Sequence, residues 1–323
     1  MDKNKIKGIF LGSAIGDAAG MPVESFSYER ILTEYGRVTQ YLQPNGHKWF
    51  NGEKPGTTTD DYQLTAAVAE GLIEAGLDLT VHAKWHIKAM MESTKGWGGT
   101  TKNAVRNLAN GASWLNSGIK GEGKGKGNGV PMKIAPLAAT NFKTFEKYDF
   151  ACRLALMTHQ TEMGVSAGFA QLTAVHYCLS KTPKTFNRED FITICAKSCL
   201  AGRRFGNRMM HLDPEEDSLA VQILKLHSGE WPTPEIVKEF GRGSCYCFNS
   251  LPFTYAFFVR NPLSIDSLYD VVSAGGDTDT NGSMLAALLG ALHGPGIFPS
   301  ELVDGLVNRD AVLDLAERFC AAF

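Results

Sequence analysis

The sequence has no apolar run that approaches the roughly 20 residues a membrane-spanning helix needs. Lys3, Lys5 and Lys7 precede a short apolar stretch, but Asp17 and several glycines interrupt it, which is unlike a signal peptide. The formal net charge is only −2, so the chain as a whole has no electrostatic footprint for nucleic acid. We therefore expect a cytoplasmic protein with no stable nucleic-acid partner and no membrane association.

A disulfide framework is also lacking. The seven cysteines are an odd number and are spread over a long chain without paired spacing. Cys245 and Cys247 lie too close together for a zinc knuckle and have no matching second pair. We expect reduced, mostly buried thiols and no structural disulfide.

Alternating patterns typical of strands are scarce, whereas apolar residues recur at helical spacing along the chain. This predicts an all-α protein with one domain over residues 1–323, without a fixed-period repeat or a linker. Helices are expected at 5–20, 61–76, 80–93, 144–157, 162–180, 188–201, 214–228, 233–240, 249–259, 264–273, 279–293 and 309–322, and another is expected to open at 96–101. Residues 29–56 lack a long period and are predicted to be irregular.

Two carboxylates open one of these helices. Asp277 and Asp279 follow two glycines, alternate with Thr278 and Thr280, and precede an almost uncharged helix. Oxygen ligands spaced this closely suit a hard cation such as Mg²⁺ or Mn²⁺. The alternative is that these residues only cap the helix. We would prefer that interpretation for a single aspartate, but not for the whole run of glycines, aspartates and threonines. An EF-hand loop is excluded, because its last position requires glutamate and here it is Leu288.

A second hydroxyl-flanked acidic cluster lies far away in the sequence. Thr59, Asp60 and Asp61 precede another helical run that begins at Tyr62. Alone, such a short motif is typical of a solvated helix cap. Paired with the first cluster, it predicts that two helix starts face each other and hold one or two metal ions.

Other polar residues give weaker signals. Glu24 lies just beyond an apolar, glycine-rich helix that Pro22 ends, which makes it a candidate general base. His82 and His86 lie one helical turn apart and suggest a zinc pair. Ala83 stands where the zinc-protease motif has glutamate, so we interpret both as surface histidines.

A glycine- and lysine-rich segment runs from Gly118 to Gly129. Free backbone N–H groups in such a loop suit a phosphate or pyrophosphate, whereas composition alone favours a flexible surface loop. The segment completes no dinucleotide fingerprint and contains no Gly-Lys-Ser/Thr motif. His159, between two predicted helices, is on its own typical of a hydrogen-bonded structural residue.

Taken together, these motifs resemble those of the ADP-ribosylglycohydrolase family. The matching segments occur in the family's order over nearly the whole chain, at 16–24, 59–61, 127–132, 158–159 and 275–281. The resemblance implies an all-α orthogonal bundle with a binuclear Mg²⁺ or Mn²⁺ centre at the base of a cleft. It also implies hydrolysis at the anomeric carbon of the distal ribose, which releases ADP-ribose from a protein or small-molecule acceptor. We expect a monomer.

The resemblance assigns roles to particular residues. Two divalent cations, Mg²⁺ or Mn²⁺, would be held by Thr59, Asp60, Asp61, Asp277, Asp279 and Thr280. Glu24 matches a glutamate on a mobile loop near the metals, and His159 matches a substrate contact. The segment that cradles the pyrophosphate corresponds to Gly123, Lys124, Gly125, Lys126, Gly127, Asn128 and Gly129.

Three residues depart from the family pattern. Tyr62 stands where many members have a small hydroxyl residue, and Gln160 and Thr161 follow His159 where the pattern is often rich in Gly or His. We predict that these residues border the site and affect acceptor preference more than chemistry.

As a hypothesis, Glu24 or Asp60 acts as the general base that deprotonates the attacking water and then protonates the leaving acceptor. Two other functions stay open: a catalytically silent relative that is structural or only binds ADP-ribose, and a binuclear phosphoesterase that attacks the pyrophosphate. The intact set of acidic residues favours the hydrolase. Arginine, serine, O-acetyl and nucleobase linkages differ only at the leaving group, so the acceptor also stays open.

Overall fold

The computed structural model describes residues 2–212, 218–229 and 231–323. This part of the chain is all-α, as predicted, and its only strand-like pairings are two isolated bridges. The α-helices are α1 (Lys3–Gly20), α2 (Tyr28–Glu34), α3 (Asp60–Ala75), α4 (Leu79–Glu92), α5 (Gly99–Ala109), α6 (Trp114–Ser117), α7 (Ala135–Ala138), α8 (Thr144–Leu156), α9 (Glu162–Ser180), α10 (Arg188–Met209), α11 (Leu219–Leu224), α12 (Thr233–Glu239), α13 (Cys247–Arg260), α14 (Asp266–Ser273), α15 (Thr278–His293), α16 (Ser300–Asp304) and α17 (Arg309–Ala322). Short 3₁₀ turns lie at Met21–Val23, Pro131–Lys133, Lys225–Ser228, Gly241–Gly243 and Pro295–Ile297. Among the described residues, no helix combines the length and the apolar character that crossing a membrane requires.

Most predicted helices are confirmed, with small shifts at their ends. The segment predicted to be irregular contains the short helix α2, whose N-cap Ser27 accepts a hydrogen bond from the Arg30 N–H at 3.2 Å. The helix α10 continues past its predicted end at residue 201 to Met209, and Gly202 within it packs closely against α9, since a Cβ atom on it would lie 3.0 Å from the Phe169 ring. The prediction of a helix at 214–228 begins outside the described residues, and the described remainder forms α11 and a 3₁₀ turn.

The helices α1 and α15 pack antiparallel at the centre of the molecule along a stripe of small residues. Every fourth residue of α1 along this stripe is glycine: Gly8, Gly12, Gly16 and Gly20 face Gly290, Ala286, Gly282 and Thr278. A Cβ atom at Gly16 would lie 2.1 Å from the Gly282 carbonyl oxygen. Both helices are buried almost all round, as expected for helices without a polar face. This close contact brings the end of α1 to the first turn of α15.

Gly16→Ala is expected to destabilise the protein. The added methyl group meets backbone atoms of Gly282, so α1 and α15 have to move apart. Overpacking of this kind typically costs about 1–3 kcal/mol or more, which outweighs the roughly 1 kcal/mol that alanine gains in helix propensity. We expect thermal denaturation followed by circular dichroism to show melting several degrees lower. Gly296→Ala is the control, because nothing lies within 4 Å of its added carbon; equal melting of the two variants would contradict this packing.

The two histidines of α4 are not on the surface, so that prediction is wrong. His82 and His86 are both 0 % exposed. His82 Nε2 lies 2.9 Å from the Gly76 carbonyl oxygen, and His86 Nδ1 lies 2.8 Å from the His82 carbonyl oxygen. Gly71 in α3 leaves room for the His82 ring, since a Cβ atom there would lie 2.6 Å from Nδ1. Burial lowers the pKa of both rings, which keeps them neutral inside the bundle.

The seven cysteines are free thiols, and all except Cys245 are buried. Burial raises the pKa of Cys195 well above its usual value and also raises the pKa of Cys152, so both stay protonated. These thiols act as small apolar side chains in the core.

Candidate active site

The two acidic clusters meet in space. The Thr59 hydroxyl lies 3.3 Å from Asp61 Oδ2 and 3.3 Å from Asp279 Oδ2. The Thr280 hydroxyl donates a hydrogen bond to Asp61 Oδ2 at 3.2 Å. A cavity of about 650 Å³ is lined by five of the six predicted metal ligands: Asp60, Asp61, Asp277, Asp279 and Thr280. The start of α3 and the start of α15 therefore share one cavity, and Thr59 lies between their carboxylates.

Asp17, in the last turn of α1, anchors the start of α3. Its carboxylate accepts hydrogen bonds from the Thr59 and Tyr62 N–H groups, each at 2.9 Å, and from the Thr59 hydroxyl at 2.8 Å. Asp17 is 0 % exposed, and burial raises its pKa to about 7 although these hydrogen bonds oppose the shift. Asp17 is not among the predicted site residues; a lone carboxylate in a glycine-rich apolar helix is the signal that identifies it.

The glycine before Asp277 lets the acidic loop pass close to other backbone segments. Gly276 has a φ of +83°, and a Cβ atom on it would lie 2.0 Å from the Arg242 carbonyl oxygen. Its N–H donates to the Phe26 carbonyl at 2.9 Å, and its carbonyl accepts from the Ser25 N–H at 2.7 Å. These two hydrogen bonds hold Ser25 and Phe26, which directly follow Glu24, against the loop that carries Asp277.

The side chain of Asp277 is directed by Asn128 and not by helix capping. Asp277 occupies the N-cap position of α15 but makes no capping hydrogen bond with its side chain. Its Oδ2 instead accepts from Asn128 Nδ2 at 2.6 Å. Asn128 Nδ2 also lies 3.0 Å from the Ser250 hydroxyl, which donates to Asn281 Oδ1 at 2.7 Å. A chain of polar side chains therefore fixes this carboxylate at the cavity wall.

Glu24 lies at the edge of the acidic cluster and lines the same cavity. Its backbone carbonyl oxygen is 3.0 Å from His47 Nε2, and its Oε2 is buried without a hydrogen-bond partner. Burial, followed by the negative charges of Asp277 and Asp60, raises the pKa of Glu24 to about 9. With this pKa the carboxyl group keeps its proton at neutral pH, and the positive charge of a bound cation would lower its pKa towards the range that suits a general base.

The arrangement of oxygen atoms fits divalent cations. One carboxylate oxygen from each of Asp17, Asp61 and Asp279 lies within 4.8 Å of the others. Oxygens of Glu24, Asp277 and Asp279 form a second group of the same size. Asp61 Oδ1 is buried and has no hydrogen-bond partner. An orphaned carboxylate oxygen among other hard oxygen donors is suited to bind Mg²⁺ or Mn²⁺.

Burial also opposes the ionisation of the cluster. It is the main cause that raises the pKa of four aspartates: Asp60, Asp61, Asp277 and Asp279. For Asp60 the pKa rises to about 8, with the charges of Asp17 and Asp277 adding to the shift. Cations would remove this penalty, because they stabilise the charged form of each ligand.

Only the end of the glycine- and lysine-rich loop reaches the cavity. Gly127, Asn128 and Gly129 line it. A Cβ atom at Gly129 would lie 2.8 Å from His159 Cε1, so glycine is needed for this close approach. The other four residues predicted to cradle the pyrophosphate lie outside the cavity lining: Gly123, Lys124, Gly125 and Lys126.

Two buried nitrogen bases lie beside the cavity. His159 lines it, is 1 % exposed, and has Nδ1 2.9 Å from the Thr158 hydroxyl. Burial, followed by the charge of Lys133, lowers the pKa of His159 to about 3, so its ring is neutral. Lys133 is 0 % exposed, its Nζ has no hydrogen-bond partner, and burial lowers its pKa to about 7 against the effect of Asp60. Lys133 is not among the predicted site residues.

The three residues that depart from the family pattern do not line this cavity. Tyr62 faces a second cavity on the other side of α3. Gln160 Nε2 donates to the Leu115 carbonyl at 2.9 Å, and the Thr161 hydroxyl accepts from the Gly164 N–H at the start of α9 at 3.0 Å. None of these side chains lines the acidic cavity, and their effect on acceptor preference stays a prediction.

The helical bundle and its cavity define an all-α protein with an acidic cleft suited to divalent cations. The chain belongs to the ADP-ribosylglycohydrolase family, whose family model matches residues 1–323.

Individual relatives are distant but match over most of their length. The chain is 24% identical to the ADP-ribosyl-[dinitrogen reductase] glycohydrolase of Rhodospirillum rubrum, over 96% of this chain and 95% of that protein. It is 23% identical to the ADP-ribosylarginine hydrolase Tri1 of Serratia proteamaculans, over 98% of this chain and 78% of that protein. The chain is also 24% identical to the ADP-ribosylhydrolase ARH3 of Homo sapiens, over 90% of this chain and 86% of that protein. A solved structure described as an ADP-ribosylglycohydrolase-related protein complex shares the fold, with a TM-score of 0.69 and 23% identity over 99% of this chain and 98% of that chain.

Proposed function

We propose that this protein is a metal-dependent ADP-ribosylglycohydrolase. It hydrolyses the bond at the anomeric carbon of the distal ribose in an ADP-ribosylated protein or small molecule and releases ADP-ribose. The observation that carries the proposal is the meeting of two acidic helix starts, with Asp60 and Asp277, on one cavity that also holds Glu24. Family membership and the relatives named as ADP-ribosyl hydrolases support the same reaction.

The proposed cofactors are two divalent cations, Mg²⁺ or Mn²⁺. Their proposed ligands are Thr59, Asp60, Asp61, Asp277, Asp279 and Thr280. When bound there, the cations would polarise water and substrate oxygens and lower the pKa of a bound water. Asp17 keeps Thr59 and the first turn of α3 in place through the hydrogen bonds described above.

In this proposal, carboxyl groups of the protein carry out the proton transfers. Glu24 or Asp60 accepts a proton from the attacking water, whose oxygen then bonds to the anomeric carbon. The bond from that carbon to the acceptor breaks through an oxocarbenium-like transition state, and the acceptor takes up the proton. One water is consumed, and ADP-ribose and the free acceptor are formed. Asn128 and the neutral His159 contact the bound ADP-ribose in this proposal, since both line the cavity.

Product analysis tests the reaction. The purified protein is incubated with ADP-ribosyl-arginine, an ADP-ribosyl-serine peptide, O-acetyl-ADP-ribose and an ADP-ribosylated nucleobase, each with Mg²⁺ and with Mn²⁺. We expect chromatography to show free ADP-ribose from at least one conjugate. AMP plus ribose phosphate would assign a phosphoesterase instead. Stabilisation by cations without turnover of any conjugate would assign a catalytically silent relative.

Glu24→Gln is expected to slow hydrolysis and to leave ADP-ribose binding unchanged. Glutamine keeps the shape of the side chain but cannot accept and return the proton, and general acid–base catalysis typically contributes about 10²–10⁴-fold to the rate. The rate comes from single-turnover kinetics and the binding from calorimetry. Glu29→Gln, on the exposed side of α2, is the control. If calorimetry shows that ADP-ribose no longer binds, Glu24 has an architectural role.

A further inference from the structure

Two segments of the chain line the acidic cavity but have no part in the proposed hydrolysis: residues 48–49 and residues 94–99. We call these two segments the rim. Trp49 is its exposed aromatic residue and is 42 % exposed. A single exposed apolar side chain is ordinary on a protein surface, but an indole in the wall of a substrate cavity is suited to stack on a ligand. The position of the rim decides which part of the substrate Trp49 meets.

His47 joins Trp49 to Glu24. Its Nδ1 accepts hydrogen bonds from the Trp49 N–H at 3.3 Å and the Phe50 N–H at 3.2 Å. Because Nδ1 is the accepting nitrogen, Nε2 donates to the Glu24 carbonyl oxygen at 3.0 Å. The His47 ring is 3 % exposed and lies 5.8 Å from the Trp49 ring, centre to centre. One buried imidazole thus fixes this part of the rim beside Glu24.

Gly96 brings the other part of the rim to Asp60. Its φ is +83°, and a Cβ atom on it would lie 2.5 Å from Asp60 Oδ1 and 3.4 Å from the Phe50 ring. Glycine is required for this close approach. At Gly98 and Gly99, by contrast, no described heavy atom apart from the chain neighbours lies within 4 Å of an added Cβ atom. The rim therefore touches Asp60 at one glycine and has open space beside the next two.

In the proposed function, on which this inference rests, Glu24 or Asp60 protonates the leaving acceptor. Proton transfer requires the two heavy atoms to lie within hydrogen-bond reach, about 2.6–3.2 Å or one water apart. The acceptor atom bonded to the anomeric carbon must therefore lie at one of these two carboxyl groups. Both residues adjoin the rim, so the acceptor is the part of the substrate that faces Trp49.

The rim contains two lysines and no acidic residue. Lys48 Nζ lies 5.1 Å from the centre of the Trp49 ring, and Lys95 pairs with Glu53. A second cation on this indole would be repelled by Lys48 and would find no carboxylate of the rim to pair with. The rim therefore disfavours a cationic acceptor such as arginine.

Among the other linkages, the nucleobase fits the rim in shape as well as in charge. A nucleobase is planar and uncharged, and every base can stack on an aromatic side chain because each has a π face. Serine and O-acetyl acceptors have no ring to stack. The open space beside Gly98 and Gly99 gives a flat ring room at the cavity wall.

We propose that Trp49 binds the acceptor by stacking and that this acceptor is a nucleobase, joined through a nitrogen to the anomeric carbon of the distal ribose. The water oxygen bonds to that carbon, the carbon–nitrogen bond breaks, and the nitrogen takes up the proton that Glu24 or Asp60 removed from the water. One water is consumed, and ADP-ribose and the unmodified base are formed. The base belongs to a nucleoside or to a short single strand of nucleic acid.

The values of kcat/KM for the different conjugates test the substrate class. The nucleobase conjugate is supplied both as an ADP-ribosylated nucleoside and within an oligonucleotide, which separates the two sources. We expect kcat/KM for one of them to be at least about tenfold higher than for the arginine, serine or O-acetyl conjugate. An equal or higher value for any of those three overturns the inference and leaves the proposed hydrolysis standing.

Trp49→Ala is expected to lower kcat/KM for the nucleobase conjugate by about tenfold, mainly through a higher KM, because stacking binds ground state and transition state alike. Trp49→Phe keeps a ring and should restore most of the loss. ADP-ribose itself should bind Trp49→Ala like the wild type, because it carries no acceptor. Phe145→Ala is the matched control, since Phe145 is 69 % exposed on α8 and does not line the cavity. An equal fall for every conjugate, or weaker ADP-ribose binding, would overturn the contact between Trp49 and the acceptor.

Lys48→Glu tests the role of charge at the rim. A carboxylate in place of the ammonium group should raise kcat/KM for the arginine conjugate relative to the nucleobase conjugate by about fivefold, a modest change because exposed charge pairs are weak. Lys48→Gln should give an intermediate ratio. The same ratio in the wild type and both variants would overturn the part of Lys48 in acceptor choice.

A binding measurement separates this inference from the proposed hydrolysis. The unmodified nucleoside is titrated by calorimetry into the full chain saturated with ADP-ribose. We expect it to bind the wild type at least about fivefold more tightly than Trp49→Ala. Such binding without turnover of any conjugate would count against the hydrolysis alone. Turnover without binding that depends on Trp49 would count against the rim alone.

Discussion

Asp277→Asn is expected to abolish the hydrolysis of ADP-ribosylated substrates and to leave the fold intact. Asparagine has nearly the same shape but removes a negative charge from the oxygens that are suited to hold a cation. The fold should persist, because the Asp277 side chain makes no capping hydrogen bond and its N–H still donates to the Gly243 carbonyl at 3.0 Å. Loss of one electrostatic contact at an active site commonly costs about 10²–10³-fold in rate, and we expect at least that.

The measurement is turnover and thermal melting of the same preparation. Asp310→Asn is a matched control, because its side chain is 93% exposed on α17. It should retain the activity and the melting temperature of the wild type. Full turnover by purified Asp277→Asn protein would remove this residue from the mechanism, and a large drop in melting temperature would assign it a structural role.

The helical fold was predictable because helical spacing of apolar residues is a local property of the sequence. The contact between α1 and α15 was not. The glycines at Gly8, Gly12 and Gly16 are visible in the sequence, but their partners on α15 lie more than 260 residues away. The local sequence pattern does not predict which helix packs against these glycines.

In the candidate site, too, some residues were predictable from local sequence patterns and others were not. Asp60 and Asp277 were found because each lies in a run of hydroxyl and carboxyl groups at a helix start, which is a local pattern. Asp17 and Lys133 were missed because their importance depends on complete burial, which long-range packing decides. His86 was placed on the surface for the same reason, since the face of α4 that contacts α3 is fixed only in the folded chain.

Without divalent cations, the protein is expected to lose stability as the pH rises from about 6.5 to 8. Burial raises the pKa of Asp17 to about 7, of Asp60 to about 8 and of Glu24 to about 9, from ordinary values of 3.8 for Asp and 4.5 for Glu. In this window the folded chain still holds protons that the unfolded chain has released. The free energy of unfolding therefore falls with rising pH.

Buried histidines and lysines whose pKa is lowered, such as His159 and Lys133, have the opposite effect, and they limit the window on either side. The pKa of His159 is lowered from 6.5 to about 3, so below pH 6.5 the unfolded chain binds a proton that the folded chain does not. Lys133, with its pKa lowered from 10.5 to about 7, acts in the same sense above about pH 7. The raised carboxyl groups outnumber Lys133, so their effect dominates between pH 6.5 and 8.

Added Mg²⁺ or Mn²⁺ is expected to remove this loss of stability. A bound cation stabilises the ionised ligands, so the folded chain releases its protons at lower pH and gains the free energy of binding. The measurement is thermal melting across the pH range with EDTA and with each cation. Glu24→Gln should show a smaller fall in EDTA, because it removes the carboxyl group with the most strongly raised of these three pKa values. Melting that is independent of pH in EDTA, or unchanged by cations at pH 8, would mean that the buried carboxyl groups are neutralised by the protein itself, and the proposed metal centre would lose its physical basis.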